Sequence, residues 1–178
     1  LAPAAWVIGP FANTGGGAIG EATPPEAGPP APEQSYAGLE RAVRWQRIES
    51  TPRRGVLDVD AQVSPSSDIR AVVAAVAVVP RATDAALRLG VSGQVVAFVN
   101  GVEVARDDVE RPVALDQTVA GVRLMAGPNL ILLRLGNVQG ELAARVRLTA
   151  PDGAPLAGLR WEETFEGLVS AFDVTAQG

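Results

Sequence analysis

Residues 84–104, DAALRLGVSGQVVAFVNGVEV, are typical of three β-strands separated by two turns. The first segment alternates apolar with polar or small residues, and the second contains a continuous apolar run, Val95 to Val99. The Asn100-Gly101 pair that follows favours a type I′ turn, because both central residues of that turn need a positive φ angle. We therefore predict a tight antiparallel hairpin inside a chain rich in β-strands.

The composition fits one domain and narrows the classes of function. With 178 residues, 47% of them apolar, the chain is long enough to bury one full hydrophobic core. The formal charge is −5, and all 15 basic residues are arginines spread along the chain, so we expect no nucleic-acid partner. The sequence has no histidine, cysteine or lysine, which excludes the usual catalytic triads and leaves paired carboxylates as the catalytic alternative. We predict that the chain is not an enzyme.

The most apolar stretch is too short to cross a membrane. The run from Ala71 to Val79 has nine residues before Pro80, whereas a membrane-spanning helix needs roughly 20. Its valines and its flanking turn residues favour a central strand over 69–79, although periodicity alone also permits a buried helix. Because the chain begins at Leu1 and shows no leader-type segment, we expect a processed or trimmed chain whose targeting signal is missing.

A stretch near the start is dominated by glycine and proline. Between Gly9 and Pro32, 12 of 24 residues are one or the other, which predicts an extended loop. Gly15, Gly17 and Gly20 have the spacing of a dinucleotide-binding loop, but prolines follow where the phosphate-binding helix would have to begin. We interpret the three residues as a glycine-rich turn.

The remaining pattern is one of short strands separated by turns. Besides the hairpin and the strand over 69–79, alternating or apolar segments predict strands near residues 6–8, 39–48, 55–63, 118–125, 130–135 and 142–149. The fold class that follows is all-β, an antiparallel jelly-roll β-sandwich of about eight or nine strands.

The end of the chain has a different periodicity. Trp161, Phe165, Leu168 and Phe172 recur at helical spacing, which predicts a short amphipathic C-terminal helix. We therefore divide the chain into three parts. Residues 1–38 form the N-terminal strand and Gly/Pro-rich loop of the sandwich, residues 39–157 form the jelly-roll core, and residues 158–178 form a tail or a junction to a following domain.

Acidic and amide side chains are concentrated in one predicted loop. They are the best candidates for a ligand site: Asp107, Asp108, Glu110, Asp116 and Gln117. Hard oxygen ligands suit Ca²⁺, so Asp107, Asp108 and Asp116 are candidate calcium ligands, and no other cofactor is expected. In the alternative interpretation one or two of these carboxylates cap turns or pair with Arg106 and Arg111.

Aromatic and basic residues offer a second way to contact a ligand. Arg88, Arg145 and Arg147 occupy alternating positions of predicted strands, so we expect them on one polar sheet face. The three tryptophans lie in apolar, alternating contexts. We interpret them as packing residues and not as a platform on which sugar rings stack.

Several motifs, taken in order, resemble one known family. They are WVIGPFANTGGG from Trp6, VRWQRIE from Val43, the segment from Ala82 to Gly136, and VRLTAPDGAPL from Val146. This series resembles the galactose-binding-like or carbohydrate-binding jelly-roll module of bacterial envelope proteins, which occurs beside transglutaminase-like, helical-repeat or glycoside hydrolase regions. The resemblance covers nearly the whole chain and implies a binding domain without catalytic residues.

Two positions depart from the family. Pro128-Asn129 replaces a Trp-Asn pair, and Gly140-Glu141-Leu142 replaces an aromatic patch. Sugar contacts that the family makes through those aromatic rings are therefore not implied for this chain.

Together these observations predict a non-catalytic, extracytoplasmic accessory module of a bacterial protein, which mediates protein interaction or positions neighbouring domains. Its expected partners are other domains of the same polypeptide or envelope proteins. The alternative is a glycan-binding module, in one version assisted by Ca²⁺, that uses a concave sheet face or the loop from Arg106 to Gln117. Self-assembly through an exposed 71–79 segment is a third hypothesis.

Overall fold

The computed structural model describes residues 1–52, 54–166 and 168. These residues form strands and short 3₁₀ turns, and among them no helix has the length and apolar character needed to cross a membrane. The strands are β1 (Ala4–Ala12), β2 (Tyr36–Ala37), β3 (Ala42–Val43), β4 (Gln46–Glu49), β5 (Leu57–Asp58), β6 (Ile69–Val79), β7 (Thr83–Val91), β8 (Gln94–Val99), β9 (Val102–Asp107), β10 (Thr118–Leu124), β11 (Gly127–Asn137), β12 (Ala143–Thr149) and β13 (Arg160–Glu162). The 3₁₀ turns span Thr14–Gly16 and Pro24–Ala27.

Two antiparallel sheets contain most of these strands. The larger sheet has the order β4-β1-β6-β11-β8-β9, and β13 pairs with β6 beyond the end of β1. The smaller sheet has the order β10-β7-β12-β5, and β2 pairs with β3 alone. The prediction of an all-β antiparallel sandwich is confirmed. The described residues form more strands than predicted because several of them have only two or three residues, and the jelly-roll order itself stays a prediction.

The main core lies between the two sheets. Alternate residues of β6 from Ile69 to Val79 point into it, together with Leu87 and Leu89 of β7 and Leu133 of β11. The three leucines are at most 1% exposed. Burial of this kind contributes about 1.5–3 kcal/mol for each large side chain, so this core is the principal source of stability.

A second core covers the outer face of the larger sheet. Val72 and Val76 of β6 pack there against Phe165 and the buried Trp45. Because both faces of β6 are covered, the strand is apolar at odd and even positions alike from Ala71 to Val79, which explains its continuous run of alanine and valine. The tryptophans do act as packing residues: Trp45 is 4% exposed, and Trp6 and Trp161 are half-buried against the two cores.

The predicted hairpin is confirmed in detail. Asn100 and Gly101 have φ angles of 51° and 80°, and Val99 lies opposite Val102. The Asn100 side chain also joins the hairpin to β11, since its Oδ1 accepts a hydrogen bond from the Leu130 N–H at 2.9 Å. Asparagine therefore contributes both the turn geometry and a tertiary contact.

Some predicted boundaries differ from the structure. The helix prediction is wrong at Trp161, which lies in β13 opposite Ala77 of β6. Phe172, the last residue of that prediction, lies outside the described residues. The strands predicted over 39–48 and 55–63 are much shorter in the structure, because turns interrupt both segments.

Candidate functional site

The predicted acidic loop crosses the outer face of the smaller sheet. Its backbone lies directly on β7 at Gly90, where an added Cβ would be 1.7 Å from the carbonyl oxygen of Ala114. Gln117 holds the loop there, because its Oε1 accepts a hydrogen bond from the Val91 N–H at 2.7 Å and its Nε2 donates to the carbonyl of Pro112 at 2.9 Å. The loop, residues 108–117, is thus fixed against a strand that has no side chain at the contact point.

Asp116 neutralises two arginines of the sheet below the loop. Arg88 of β7 lies opposite Arg147 of β12, and the Asp116 carboxylate accepts hydrogen bonds from both. Two like charges in direct cross-strand contact are unfavourable, so Asp116 has a structural function between them. Arg88 and Arg147 confirm the predicted polar face of this sheet.

Two of the other predicted site residues, Asp107 and Glu110, also make contacts within the protein. Asp107 accepts hydrogen bonds from Arg111 and from the Thr118 hydroxyl, the latter at 3.2 Å. Glu110 accepts one from the Val138 N–H at 2.6 Å, and Asp108 is exposed.

The structure does not bring the candidate calcium ligands together. Asp107 and Asp116 are bound by different arginines, and within residues 1–52, 54–166 and 168 no group of three acidic side chains is arranged to hold a metal ion. As arranged here, the residues do not fit a Ca²⁺ ion, which needs six to eight oxygen ligands around one point.

An elongated groove runs beside the acidic loop. It consists of two adjoining depressions of about 320 and 230 Å³ that share Pro112 and Glu141, and we call it the loop-side groove. Val56, Pro112 and Val113 provide apolar wall. The charged side chains that line it are balanced, with three arginines and three carboxylates: Arg54, Arg111, Arg145, Asp58, Glu110 and Glu141.

Arg145 of β12 stands out within this groove. Its side chain is half-buried, and its Nε is buried without a hydrogen-bond partner. No carboxylate of the described residues forms an ion pair with it, and Asp116 already serves Arg88 and Arg147. The Nε atom itself is closed to a ligand, so the part of Arg145 that can contact one is the remainder of the guanidinium that lines the groove.

Two of the carboxylates that line the groove lie near a third one, which is partly buried. Asp58 and Glu141 line it, and both lie near Asp60. The Asp60 carboxylate accepts a hydrogen bond from the Leu142 N–H at 2.8 Å, whereas its Oδ1 is buried without a partner. Burial raises the pKa of Asp60 above its usual value, the hydrogen bond opposes this shift, and the charges of Asp58 and Glu141 add to it.

A separate pocket of about 430 Å³ lies on the outer face of the larger sheet. Phe98, Leu130 and Leu132 line its apolar side. Its charged residues are Arg134 and Glu26, which form an ion pair with side chains 5% and 6% exposed and an Nη2–Oε2 distance of 2.6 Å.

This ion pair is satisfied within the protein. Glu26 also accepts hydrogen bonds from the N–H and hydroxyl of Thr23 at 2.7 and 2.8 Å, and Arg134 Nη1 donates to the carbonyl of Ile19 at 3.0 Å. The guanidinium lies 5.3 Å from the centre of the Phe98 ring. The pair thus anchors residues 14–30 to the sheet and leaves the pocket mainly apolar.

The loop-side groove was only partly visible in the sequence. The sequence pattern indicated the acidic loop and placed Arg145 on the polar face. It did not indicate that Arg54, Asp58 and Glu141 line a groove. These residues come from segments that lie far apart in the chain and meet only in the folded sheet. No local motif distinguishes them from ordinary surface charges.

Comparisons with known proteins identify the fold. No protein-family model and no curated protein matches the chain. Among solved structures, the chain is similar to a β-glucosidase from Kluyveromyces marxianus, with a TM-score of 0.50 and 11% identity over 97% of this chain and 18% of that one. The chain thus spans less than a fifth of the enzyme, and the likeness shows a shared fold.

Two weaker similarities involve smaller proteins. The PA14 sugar-binding domain from an RTX adhesin has a TM-score of 0.46 and 16% identity, over 90% of this chain and 96% of that domain. The PA14 domain of the antifreeze protein MpAFP has a TM-score of 0.39 and 15% identity, over 52% of each chain.

Proposed function

We propose that the chain is a non-catalytic carbohydrate-binding module whose ligand is a glycan held in the loop-side groove. The observation that carries this proposal is the set of uncommitted polar side chains in an elongated depression. Arg54, Glu141 and Arg145 line the groove and form no ion pair within the described residues. Planar groups of this kind bind hydroxyls well, because a carboxylate accepts and a guanidinium donates.

The shape and wall of the groove support the same ligand class. Val56, Pro112 and Val113 offer an apolar surface to the C–H face of a sugar ring, while the charged groups beside them address its hydroxyls. The two depressions share Pro112 and Glu141, so a chain of two or more sugar residues can run past the loop. The groove is lined by equal numbers of arginines and carboxylates, so it has no excess positive charge that would attract a densely charged anionic polysaccharide.

A binding role also agrees with the residue types in the chain. The sequence has no histidine, cysteine or lysine, and Asp107 and Asp116 are held by arginines. We further propose that the module is extracytoplasmic and bacterial and serves as an accessory to other domains of its polypeptide. The resemblance of Trp6 to Leu156 to galactose-binding-like modules of envelope proteins supports this assignment.

The test is a glycan array that contains neutral and acidic oligosaccharides, followed by isothermal titration of the best ligand. We expect saturable binding in the micromolar to millimolar range. Glu141→Ala should weaken binding by at least about fivefold, because it removes a hydrogen-bond acceptor from the groove. Glu49→Ala is the matched control, since Glu49 is an exposed carboxylate of β4 that lines neither part of the groove. Absence of binding to every glycan at millimolar concentration contradicts the proposal.

Protein interaction is the second candidate function. Three apolar side chains on the loop and on β10 are more than half exposed: Val109 at 53%, Leu115 at 60% and Val119 at 51%. Exposed apolar side chains of this kind are common at sites of protein contact. Light scattering and titration with adjoining domains of the full-length protein test this function, and Leu115→Gln should weaken any such contact.

A further inference from the structure

We propose that Arg145 is the specificity residue of the loop-side groove and binds the carboxylate of a uronic-acid residue in the glycan. This inference rests on the proposed function and adds a ligand class to it. The inference is based on the Arg145 side chain, which lines the groove, is half-buried and forms no ion pair within the described residues.

Other arginines of the same sheet have carboxylate partners, whereas Arg145 has none within the described residues. Arg88 and Arg147 share the carboxylate of Asp116, and Arg123 pairs with Asp84 at 2.9 Å. Arg145 lines the same groove as Asp58 and Glu141 but forms an ion pair with neither. Among the arginines that point outward from this sheet in the described structure, it is therefore the one without a carboxylate.

The chemistry of guanidinium selects the ligand group. A planar fork of N–H donors matches a carboxylate in a bidentate arrangement and holds it about twice as strongly as a neutral acceptor. Arg145 has no carboxylate partner within the described residues, so an ionised acceptor in the groove supplies a counter-charge that a hydroxyl does not.

The surrounding charges limit how acidic the ligand can be. Asp58 and Glu141 line the same groove, and their charges add to the effect of burial, which is the main cause of the raised pKa of the nearby Asp60. These carboxylates repel a second negative group and accept hydrogen bonds from hydroxyls. The site therefore fits an isolated uronate next to neutral sugars and disfavours a polyuronate.

The experiment compares two matched pairs of methyl glycosides at constant ionic strength. The pairs are glucuronide with glucoside and galacturonide with galactoside, and their members differ only in a carboxylate in place of a hydroxymethyl group. Dissociation constants come from saturation-transfer NMR competition. In at least one pair we expect the uronide to bind roughly tenfold tighter or more, as a charge-assisted hydrogen bond implies.

Substitutions then assign the preference to one side chain. Arg145→Gln should make the members of the pair bind equally, and Arg145→Lys should give an intermediate preference because it keeps the charge and loses the fork. Arg123→Gln is the matched control on the same sheet, and it should leave the preference unchanged. Thermal melting of each variant verifies folding.

The outcomes separate the two proposals. Equal affinity within both pairs, or a preference that survives in Arg145→Gln, overturns the role of Arg145 and leaves glycan binding intact if the array shows it. If no glycan binds on the array or in NMR, the proposed function fails and this inference fails with it. A preference that Arg145→Gln removes and Arg123→Gln retains supports both.

Discussion

The contact between the acidic loop and β7 leads to a sharp prediction for Gly90→Ala. The added Cβ would lie 1.7 Å from the Ala114 oxygen and 2.9 Å from its carbonyl carbon, whereas ordinary contacts begin at 3.4 Å. Both atoms belong to the backbone, so no side-chain rotation relieves the clash. The loop has to move away from the strand by about 1.7 Å at this point.

The expected cost has two sources. Overpacking of a close contact costs about 1–3 kcal/mol. Displacement of the loop also breaks the 2.7 Å hydrogen bond between Gln117 and the Val91 N–H, and a donor left without its partner costs about 1–3 kcal/mol. We expect a total loss of stability of about 3 kcal/mol, because partial relaxation offsets some of the strain. For a domain of this size, such a loss corresponds to a fall in Tm of roughly 6–12 °C.

Urea unfolding and differential scanning calorimetry measure this loss, and glycan titration measures the effect on the groove that the loop borders. Gly121→Ala is the matched control, because Gly121 lies on β10 of the same sheet and an added Cβ there meets no atom within 4 Å. We expect the control to keep the wild-type stability to within about 0.5 kcal/mol. If Gly90→Ala melts within 2 °C of the wild type, the loop does not rest on β7 as described.

Three further predictions concern charged groups. Glu26→Gln leaves the buried Arg134 without its counter-charge, so urea unfolding should show a loss of about 3–5 kcal/mol, and a loss equal to that of the exposed Glu49→Gln would contradict the anchoring role of the pair. Asp60 has a raised pKa in the folded state, mainly because it is buried, so the native protein holds this proton more tightly than the unfolded chain does. Stability therefore falls as pH rises from the ordinary aspartate pKa of 3.8 through the raised pKa. The difference in Tm between Asp60→Asn and wild type should therefore become more positive between about pH 3 and pH 7. A difference that does not change with pH would show that Asp60 does not contribute to the pH dependence of stability. For calcium, melting in millimolar CaCl₂ and in chelator should give the same Tm if the arginine pairs of the acidic loop persist, whereas a chelator-reversible rise would support a Ca²⁺ site.

The parts of the fold that could be predicted from the sequence are those determined by residues close together in the chain. The Asn100-Gly101 turn needs two positive φ angles, and the strand over 69–79 is apolar at every position that faces a core. Short strands such as β2 and β5 have no such signal, because they exist only through pairing with partners brought close by the fold. The same reason explains why Trp161 was wrongly predicted as helical. Its spacing to Phe165 fits a helix, but in the structure it pairs with β6.

The candidate site was predicted in location but not in composition. The acidic loop does border the groove, yet Asp107 pairs with Arg111 of the loop itself, and Asp116 pairs with Arg88 of β7 and Arg147 of β12. The sequence did offer the pairing of Asp107 with Arg111, because the two residues are four positions apart. The pairs of Asp116 could not be predicted from charge alone, because ion pairs between distant segments depend on strand order. Arg145 became notable only when the structure showed which arginines have carboxylate partners and which do not.

The order of the strands in the larger sheet has a consequence for synthesis of the protein. Its centre joins β1, β6 and β11, so the first and last of these strands are separated by more than 100 residues of chain. At about 5–20 residues per second, β6 leaves the ribosome several seconds before β11. During that time β6 can pair with β1 along one edge only, and its other edge is unpaired. This is the stage of synthesis at which the nascent chain is most exposed to aggregation.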